Sequence, residues 1–242
     1  MEFEYDNFLD SLHYAIQYLP VTAKLVFFAL AFGIVFGMIV AIIRYYKIPV
    51  ISQILAVFVT IYQGIPSMVA FLIYNLLYSF YIGDIINFLH LNVEVRDVDN
   101  IVVAYFALSI QAMISMSETF RGAMYSVDKN QFEAGYSIGL TKVQTLRRIV
   151  IPQVIPAALP GLTNNMVGIV KATSLVMTIG VMEVMNAALI PCGRTYSFLE
   201  GYVAAALVYW GFTLILEIIS KQIEKRSKSY RKQLRSRLAS ES

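Results

Sequence analysis

The stretch from Glu133 to Pro152 reads EAGYSIGLTKVQTLRRIVIP. It is polar and basic, and it lies between long apolar segments of the chain. The pattern predicts two short helices joined by a tight turn. Gly139 can adopt the left-handed conformation that ends a helix, Thr141 and Gln144 have the spacing of a capping box, and Pro152 is expected to end the second helix. In a membrane protein, such a loop indicates a surface that is presented to a partner.

The composition is that of a membrane protein. The chain has 242 residues, of which 58% are hydrophobic and 14% are charged, and its mean hydropathy is +0.64. Soluble domains have about a quarter of their residues charged. We therefore expect one transmembrane domain covering residues 1–242. The single cysteine, Cys192, excludes a disulfide within the chain.

Five apolar runs are candidates to cross about 30 Å of hydrocarbon. We predict spans at roughly 21–43, 50–80, 101–121, 156–176 and 197–220. The second run is interrupted at Gly64-Ile65-Pro66, because proline breaks a helix. Residues 177–195 are apolar enough for a sixth span, but Glu183 would be costly in hydrocarbon. We interpret these residues as a short or re-entrant helix.

Basic residues are distributed unevenly between the predicted loops. With five spans, one side holds Arg44, Lys47, five basic residues of the helix-pair region and eight of the tail 221–242. The loops on the other side hold Arg96 and Arg194. The positive-inside rule then predicts the N-terminus outside and the C-terminus inside. We interpret the tail as an anchor on anionic lipid, since nothing else supports nucleic-acid binding.

Lys171 lies about fifteen positions into the fourth predicted span, at a depth that is still within the hydrocarbon. An intramembrane lysine faces a partner or water. One interpretation is a structural pair with Glu118, Glu183 or a backbone carbonyl. A second is a counter-charge for a substrate carboxylate, with Thr173 and Ser174 as further hydrogen-bond donors. A side chain that snorkels to the interface is a third.

The break at Gln63 and Gly64, just before Pro66, is a second candidate wall of a substrate site. Freed backbone groups are tolerated at membrane depth where they line a cavity. The alternative is a plain kink that shapes packing. Asn164 and Asn165 are predicted to form hydrogen bonds between helices, and Asn165 is also a candidate substrate contact.

Two ion pairs are expected near the helix pair. Glu118 precedes Arg121 by three residues, which places both on one helix face. Across the turn, Glu133 is expected to pair with Arg147 or Arg148 and so to set the angle between the two helices.

Several motifs resemble the permease subunits of bacterial ABC importers. Glu133-Ala134-Gly135, Gly139, Ile149, Ile151 and Pro152 keep the spacing of that family's Glu-Ala-Ala loop, with Gly135 replacing the second Ala and Ile151 replacing Leu. Further stretches are similar to the branch that takes up polar amino acids: Leu19-Pro20-Val21-Thr22, Tyr62-Gln63-Gly64-Ile65-Pro66-Ser67 with Gln63 in place of Arg, Ser117-Glu118-Thr119-Phe120-Arg121-Gly122, Asn164-Asn165, Val170-Lys171-Ala172-Thr173-Ser174-Leu175 and Glu200-Gly201-Tyr202.

The resemblance implies an all-α polytopic membrane protein with five transmembrane helices and a cytoplasmic coupling helix pair, residues 129–152, between spans 3 and 4. It implies that an ABC ATPase subunit dimer docks on the residues of that loop. These are Glu133, Ala134, Gly135, Gly139, Ile149 and Pro152. The further partners that it implies are a second permease chain, either a copy or a paralogue, and an extracytoplasmic amino-acid-binding protein. The implied location is the bacterial cytoplasmic membrane.

The sequence has no P-loop, so we expect that the chain does not hydrolyse ATP and that ATP and Mg²⁺ belong to the ATPase. We expect no metal and no cofactor in this chain. Gly135-Tyr136-Ser137-Ile138-Gly139 matches the nucleophile elbow of hydrolases, but His13 and His90 both precede Ser137. The resemblance therefore implies an importer subunit for polar amino acids. The alternatives are a permease of the same type for another small organic solute and, less favoured, an ion-coupled carrier or channel.

Overall fold

A computed structural model describes residues 3–88, 90, 99–128 and 130–240, with residues 228–240 given by their backbone alone. Arg96 and Lys129, which the topology prediction counts, lie outside these residues. Every regular element in the described part is helical, as predicted. The elements are α1 (Tyr5–Tyr45), α2 (Ile51–Gly64), α3 (Ser67–Phe88), α4 (Ile101–Tyr125), α5 (Asn130–Ser137), α6 (Lys142–Thr145), a π-helical turn (Leu146–Val150), α7 (Ile151–Ala172), a 3₁₀ segment (Thr173–Ile179), α8 (Val184–Ala188), α9 (Cys192–Thr195) and α10 (Phe198–Ser240).

Helix α1 begins sixteen residues earlier than the predicted span, and Pro20 lies inside it rather than at its start. The helix extends beyond the predicted apolar span because the segment before Pro20 is held by tertiary contacts. Ser11 is buried with its Oγ 3.8 Å from Cys192 Sγ, and Ala15 packs in a buried cluster with Val184 and Ala188. At 1.5 Å per residue, the 41 residues of α1 extend over about 62 Å.

The predicted break in the second run is confirmed. Helix α2 ends at Gly64 and α3 begins at Ser67, so the run 50–80 forms two helices rather than one span. The 14 residues of α2 reach about 21 Å, which is too short to cross the hydrocarbon.

Four of the described helices are long and apolar enough to cross a membrane: α1, α3, α4 and Phe198–Ser227 of α10. A fifth crossing results if Lys142–Ile179 and Val184–Thr195, which meet at 63°, are counted as one bent span. The multi-pass architecture agrees with the prediction. The predicted span 197–220 and the part of the tail up to Ser240 form one continuous helix.

Pro152 does not end the second helix of the pair, contrary to the prediction. It lies in the first turn of α7, where a missing N–H is tolerated. The wider π-helical turn Leu146–Val150 comes directly before it and takes up the interruption of the helical hydrogen-bond ladder. The span predicted from 156 therefore begins at Ile151, and Pro156 and Pro160 lie inside it.

After α7 the chain breaks into short pieces. The 3₁₀ segment ends at Gly180 in the left-handed conformation, with φ of 79°, and α8 and α9 have five and four residues. None of these pieces is long enough to cross a membrane alone, in keeping with the short or re-entrant helix predicted for 177–195.

Helices α1 and α4 share the most extensive contact between elements in the described part of the chain. Gly33 and Gly37, one turn apart on α1, allow this approach. A methyl group at Gly33 would lie 2.7 Å from Ala112 Cβ, and one at Gly37 would lie 3.0 Å from the Met113 carbonyl oxygen. Small residues spaced in this way let helix backbones approach each other in membranes. The helix-pair loop rests on α1 and α4, because Phe132 and Leu146 pack against a buried cluster that includes Ala41 of α1 and Phe120 of α4.

Candidate functional site: the helix pair and its supports

The turn between α5 and α6 has the predicted structure. Gly139 has a φ of 81°, and the Leu140 N–H donates to the Gly135 carbonyl over 3.0 Å. Thr141 forms the capping box with Gln144. The Thr141 N–H donates to Gln144 Oε1 over 2.9 Å, and the Gln144 N–H donates to Thr141 Oγ1 over 3.3 Å. The helix pair is therefore ordered by its own local hydrogen bonds.

Gly135 is the buried contact point between the two helices of the pair. A methyl group on Gly135 would lie 2.6 Å from Thr145 Cγ2 and 3.2 Å from Ile149 Cδ1. Thr145 is fully buried, and its Oγ1 has no hydrogen-bond partner among the residues that the structure describes. The glycine is required because Thr145 fills the space that an alanine side chain would take.

The tip of the helix pair exposes apolar side chains. Ile138 is 74% exposed and Val143 is 73% exposed, and Tyr136 beside them is also exposed. Glu133 and Ala134 lie on the outside of α5. These exposed apolar side chains on a polar loop make the tip a candidate site of protein contact.

A groove of about 380 Å³ adjoins this tip. It lies between α6 and the segment after α1, and its lining includes Tyr46, Pro49, Lys142 and Val143. The Tyr46 hydroxyl has no hydrogen-bond partner in the described part of the chain. Burial raises its pKa, with a smaller contribution from Tyr136. The hydroxyl thus stays neutral, and Lys142 provides the positive charge of the groove.

The expected ion pair across the turn is not formed. Within the described range 130–148, no ion pair joins Glu133 to Arg147 or Arg148, and all three side chains are exposed. The prediction was wrong because exposed charges gain too little from pairing to overcome side-chain entropy. The angle between the helices is set by the Gly135 contact instead.

A side-chain amide bridge ties the first helix of the pair to α7. Gln153 Nε2 donates to Gln131 Oε1 over 3.1 Å and to the Ile149 carbonyl over 3.0 Å. Gln131 belongs to α5 and Gln153 to the first turn of α7. The helix pair and α7 are therefore joined both by the continuous backbone and by this bridge.

Glu118 links α4 to α1 close to the loop. Arg121 donates to Glu118 Oε2 from Nη2 over 2.6 Å and from Nε over 3.1 Å, which confirms the predicted local pair. Arg44, in the last turn of α1, donates to Glu118 Oε1. This second partner joins residues 74 positions apart, and no local sequence signal could have identified it.

Lys171 is exposed, and its side chain has no hydrogen bond or ion pair with another described residue. The two carboxylates that were suggested as structural partners, Glu118 and Glu183, are both held by other groups. Ser174 Oγ donates to the Lys171 carbonyl over 2.7 Å. Thr173 is fully buried, and its hydroxyl donates to the Val170 carbonyl over 2.7 Å. Lys171 and Ser174 therefore lie together, while Thr173 faces the interior.

Asn165 forms the predicted hydrogen bond between helices. Its Nδ2 donates to Thr119 Oγ1 of α4 over 2.8 Å, beside the close approach of Gly161 to Thr119. Gln63 and Gly64 are exposed at the end of α2. No hydrogen bond or ion pair of the described residues joins them to Lys171.

Glu183 is the buried charged group whose role the sequence analysis missed. The side chain is fully buried. Its Oε1 accepts from the Met185 and Asn186 N–H groups over 2.8 and 3.2 Å. Its Oε2 accepts from Thr22 Oγ1 over 3.3 Å and from the Tyr209 hydroxyl. Glu183 thus caps α8 and ties it to α1 and α10. Its position directly before a short helical stretch was the available signal.

Comparison with known proteins identifies the class of this arrangement. Residues 33–229 match the family described as "Binding-protein-dependent transport system inner membrane component". The chain is 32% identical over 235 residues to the probable amino-acid ABC transporter permease protein PatM of Vibrio harveyi, covering 95% of this chain and 99% of PatM. It is 35% identical over 212 residues to the L-cystine transport system permease protein TcyL of Bacillus subtilis (strain 168), covering 87% of this chain and 86% of TcyL.

The fold comparison agrees. A solved structure described as "Crystal structure of an amino acid ABC transporter with histidines" superposes with a TM-score of 0.76 at 26% identity, covering 93% of this chain and all of that chain. With the family match over residues 33–229 and relatives above 30% identity along nearly the whole chain, the protein belongs to the inner-membrane permease components of binding-protein-dependent transport systems.

Proposed function

We propose that this chain, a single transmembrane domain of residues 1–242, is the translocation subunit of an ATP-driven importer for polar amino acids in the bacterial cytoplasmic membrane. The names of PatM and TcyL support the amino-acid class. The observation that carries the coupling part of the proposal is the helix pair. The helix pair is ordered by its own caps, and the side chains of Ile138 and Val143 at its tip are exposed.

The helix pair is suited to transmit a push from an ATPase subunit to the membrane helices. The Gly135 contact and the Gln131–Gln153 bridge hold α5, α6 and the start of α7 together. A displacement of the tip is therefore passed to α7 rather than absorbed in a flexible loop. Helix α7 carries Lys171 near its other end, so motion at the docking surface reaches the candidate substrate site.

The number of permease chains in the complex follows from the presence of one helix pair in each chain. An ATPase dimer offers two docking grooves, so two permease chains are needed, either two copies of this one or a copy with a paralogue. The N-terminus lies outside, where an amino-acid-binding protein delivers the solute, and the C-terminus lies inside. ATP and Mg²⁺ are held by the ATPase, and this chain uses no cofactor or metal of its own.

Lys171 is the group that we assign to the substrate carboxylate. It is exposed, it has no partner in the described part of the chain, and Ser174 lies beside it. Gln63, Gly64 and Asn165 complete the candidate set, and Thr173 is left out of it because its side chain is fully buried and donates to the Val170 carbonyl. The motif resemblance places Gln63 where the polar amino-acid branch has Arg, so the proposed site has one fixed positive charge fewer there. We expect a solute preference that differs from those relatives in net charge.

The proposal is tested by co-expressing the chain with an ABC ATPase subunit, purifying the complex and measuring uptake of a panel of amino acids in proteoliposomes. The ATPase should co-purify with the chain. Ile138→Asp should weaken docking about ten- to hundredfold, because burying an aliphatic side chain contributes about 1.5–3 kcal/mol. Tyr196→Asp is a matched control for co-purification, since Tyr196 is 79% exposed and lies far along the chain from the helix pair.

Two results would contradict parts of the proposal. If Ile138→Asp and Val143→Asp both retain the ATPase and transport normally, residues 129–152 are not the coupling element. If the intact complex transports no amino acid of the panel but transports another small solute, the amino-acid assignment is wrong while the coupling assignment stands.

A further inference from the structure

A polar cavity lies at the N-terminal end of α1, and none of its lining residues belongs to the helix pair or to the candidate substrate set. It has a volume of about 220 Å³, and its walls come from two parts of the chain. Asn7, Asp10 and Tyr14 project from successive turns of α1, and Arg194 and Thr195 come from α9. Neither the family match nor the proposed transport cycle assigns a role to this cavity.

The cavity is lined by two opposite charges that do not form an ion pair with each other. Asp10 and Arg194 line the same space, yet no ion pair of the described residues joins them. Neither side chain forms a hydrogen bond with another described residue. An acid and a base on opposite walls, each without a partner, are complementary to a ligand that carries both charges.

Contacts outside the cavity hold its walls in place. Asn7 Nδ2 donates to the Glu4 carboxylate, and the Glu4 N–H donates to Glu200 Oε1 of α10 over 2.9 Å. Ser11, on the buried side of α1, contacts Cys192 at the start of α9. One Asn7 amide hydrogen is thus engaged, and the Asn7 side chain, which lines the cavity, keeps Oδ1 as a possible acceptor. The site is preformed and does not need to be assembled by its ligand.

The position of the cavity indicates a soluble ligand. Asp10 precedes the apolar run that begins at residue 21 by eleven residues, or about 16 Å along the helix. The headgroup zone on each side of the hydrocarbon is about 5–8 Å thick. The cavity therefore faces water beyond the lipid headgroups, on whichever side of the membrane the N-terminus lies.

We propose that this cavity binds a small soluble zwitterion, with its primary ammonium group on Asp10 and Asn7 Oδ1 and its carboxylate on Arg194. A space of 220 Å³ holds about seven water molecules and is smaller than the roughly 300–1,000 Å³ pockets of larger ligands. It fits a free amino acid of small size. The site is independent of the proposed function, because binding here requires neither an ATPase nor a transport step.

The affinity is weak and depends on both charges. Exposed ion pairs contribute little, so each contact is worth up to about a fivefold change in affinity. Removal of both contacts should therefore lower the affinity about twenty-five-fold. Because the two contacts together supply only about a twenty-five-fold gain, a dissociation constant of tens of millimolar is expected.

Saturation-transfer NMR on the full chain in lipid nanodiscs, without ATPase, tests the proposal with glycine as the probe. Glycine should give a saturable signal. Acetate and methylammonium, which each carry one of its charges, should bind about fivefold more weakly or worse. Asp10→Asn and Arg194→Gln should each weaken glycine binding to a similar degree. Asp6→Asn is the matched control, because it removes a carboxylate from the same first turns of α1 without touching the cavity.

A charge-swapped pair distinguishes binding from a merely structural role. Asp10→Arg combined with Arg194→Asp should regain much of the glycine signal, because the zwitterion can bind in the opposite orientation. Equal glycine signals in the wild type and in all variants would overturn the proposal. The proposal would also be overturned if acetate or methylammonium bound as tightly as glycine. Binding of glycerophosphoethanolamine without binding of glycine would overturn it too, because that result would indicate a lipid-headgroup site.

Discussion

Replacing Gly135 by alanine is the sharpest perturbation of the helix pair that the structure allows. The added methyl group would lie 2.6 Å from Thr145 Cγ2, whereas carbon atoms in contact are about 3.5–4.0 Å apart. Thr145 is β-branched and stiff in χ1, so the helices must separate by about 1 Å. Overpacking of this kind costs about 1–3 kcal/mol. Since alanine favours a helix over glycine by about 0.5–1 kcal/mol, the net loss should be about 1 kcal/mol.

The compensating substitution is Thr145→Ala. It removes both atoms nearest to the new methyl group, and no hydrogen bond is lost because Thr145 Oγ1 has none in the described part of the chain. The double variant Gly135→Ala with Thr145→Ala should therefore recover the stability of the pair. A double-mutant cycle should give a favourable coupling energy of about 1–2 kcal/mol.

Amide hydrogen exchange across residues 130–145 measures this effect locally, and the response of ATPase activity to solute measures its consequence. Gly135→Ala should speed exchange of the α5 amides about fivefold, because about 1.4 kcal/mol corresponds to tenfold. Gly122→Ala is the control, since a methyl group there meets nothing within 4 Å, and exchange in 130–145 should stay unchanged. Slower exchange in Gly135→Ala, or no recovery in the double variant, would refute the packing argument.

Three further predictions concern the rest of the chain. Glu183→Ala should lower the Tm strongly, at a cost of about 3–5 kcal/mol, because it strands several buried donors, and Glu183→Gln should lose less, since its oxygen still accepts. Lys171→Met should reduce solute affinity roughly ten- to hundredfold in a complex that still assembles, measured by uptake. A cysteine at Asn7 should react with an impermeant thiol reagent in intact cells, and one at Ser229 should not.

Each of these has an outcome that contradicts it. An unchanged Tm in Glu183→Ala would mean that the carboxylate is not an essential acceptor. Normal uptake by a well-expressed Lys171→Met would remove Lys171 from the substrate site. Labelling at Ser229 but not at Asn7 would reverse the orientation, and labelling at both would mean an even number of spans.

Local signals predicted local structure well. The turn at Gly139 and the capping box of Thr141 and Gln144 form as expected because each involves residues within a few positions of one another. The Glu118–Arg121 pair follows from helical spacing. The break before Pro66 follows from the chemistry of proline. Each of these features is decided by neighbours in sequence.

Features that depend on distant contacts were not predictable in the same way. The link of Arg44 to Glu118 requires α1 and α4 to pack, and the early start of α1 depends on contacts with α8 and α9. Thr173 lies next to Lys171 in sequence, but a 3₁₀ segment begins there and turns the hydroxyl inward. The expected Glu133 pair failed because proximity in sequence does not by itself make an exposed ion pair favourable.

Helix α1 is so long that a small tilt would displace its two ends by several ångströms. Its roughly 62 Å are about twice the hydrocarbon thickness, with Asp10 on one arm and Arg44 on the other. A tilt of about ten degrees around the midpoint would swing each end by about 5 Å, or one helical turn. The Arg44–Glu118 contact could not follow such a swing, because an ion pair needs its atoms within about 4 Å. The other end of α1 is held as well, by the packing of Ala15 against Val184 and Ala188 and by the contact of Ser11 with Cys192. A tilt of α1 would therefore have to carry α8 and α9 with it or break these contacts.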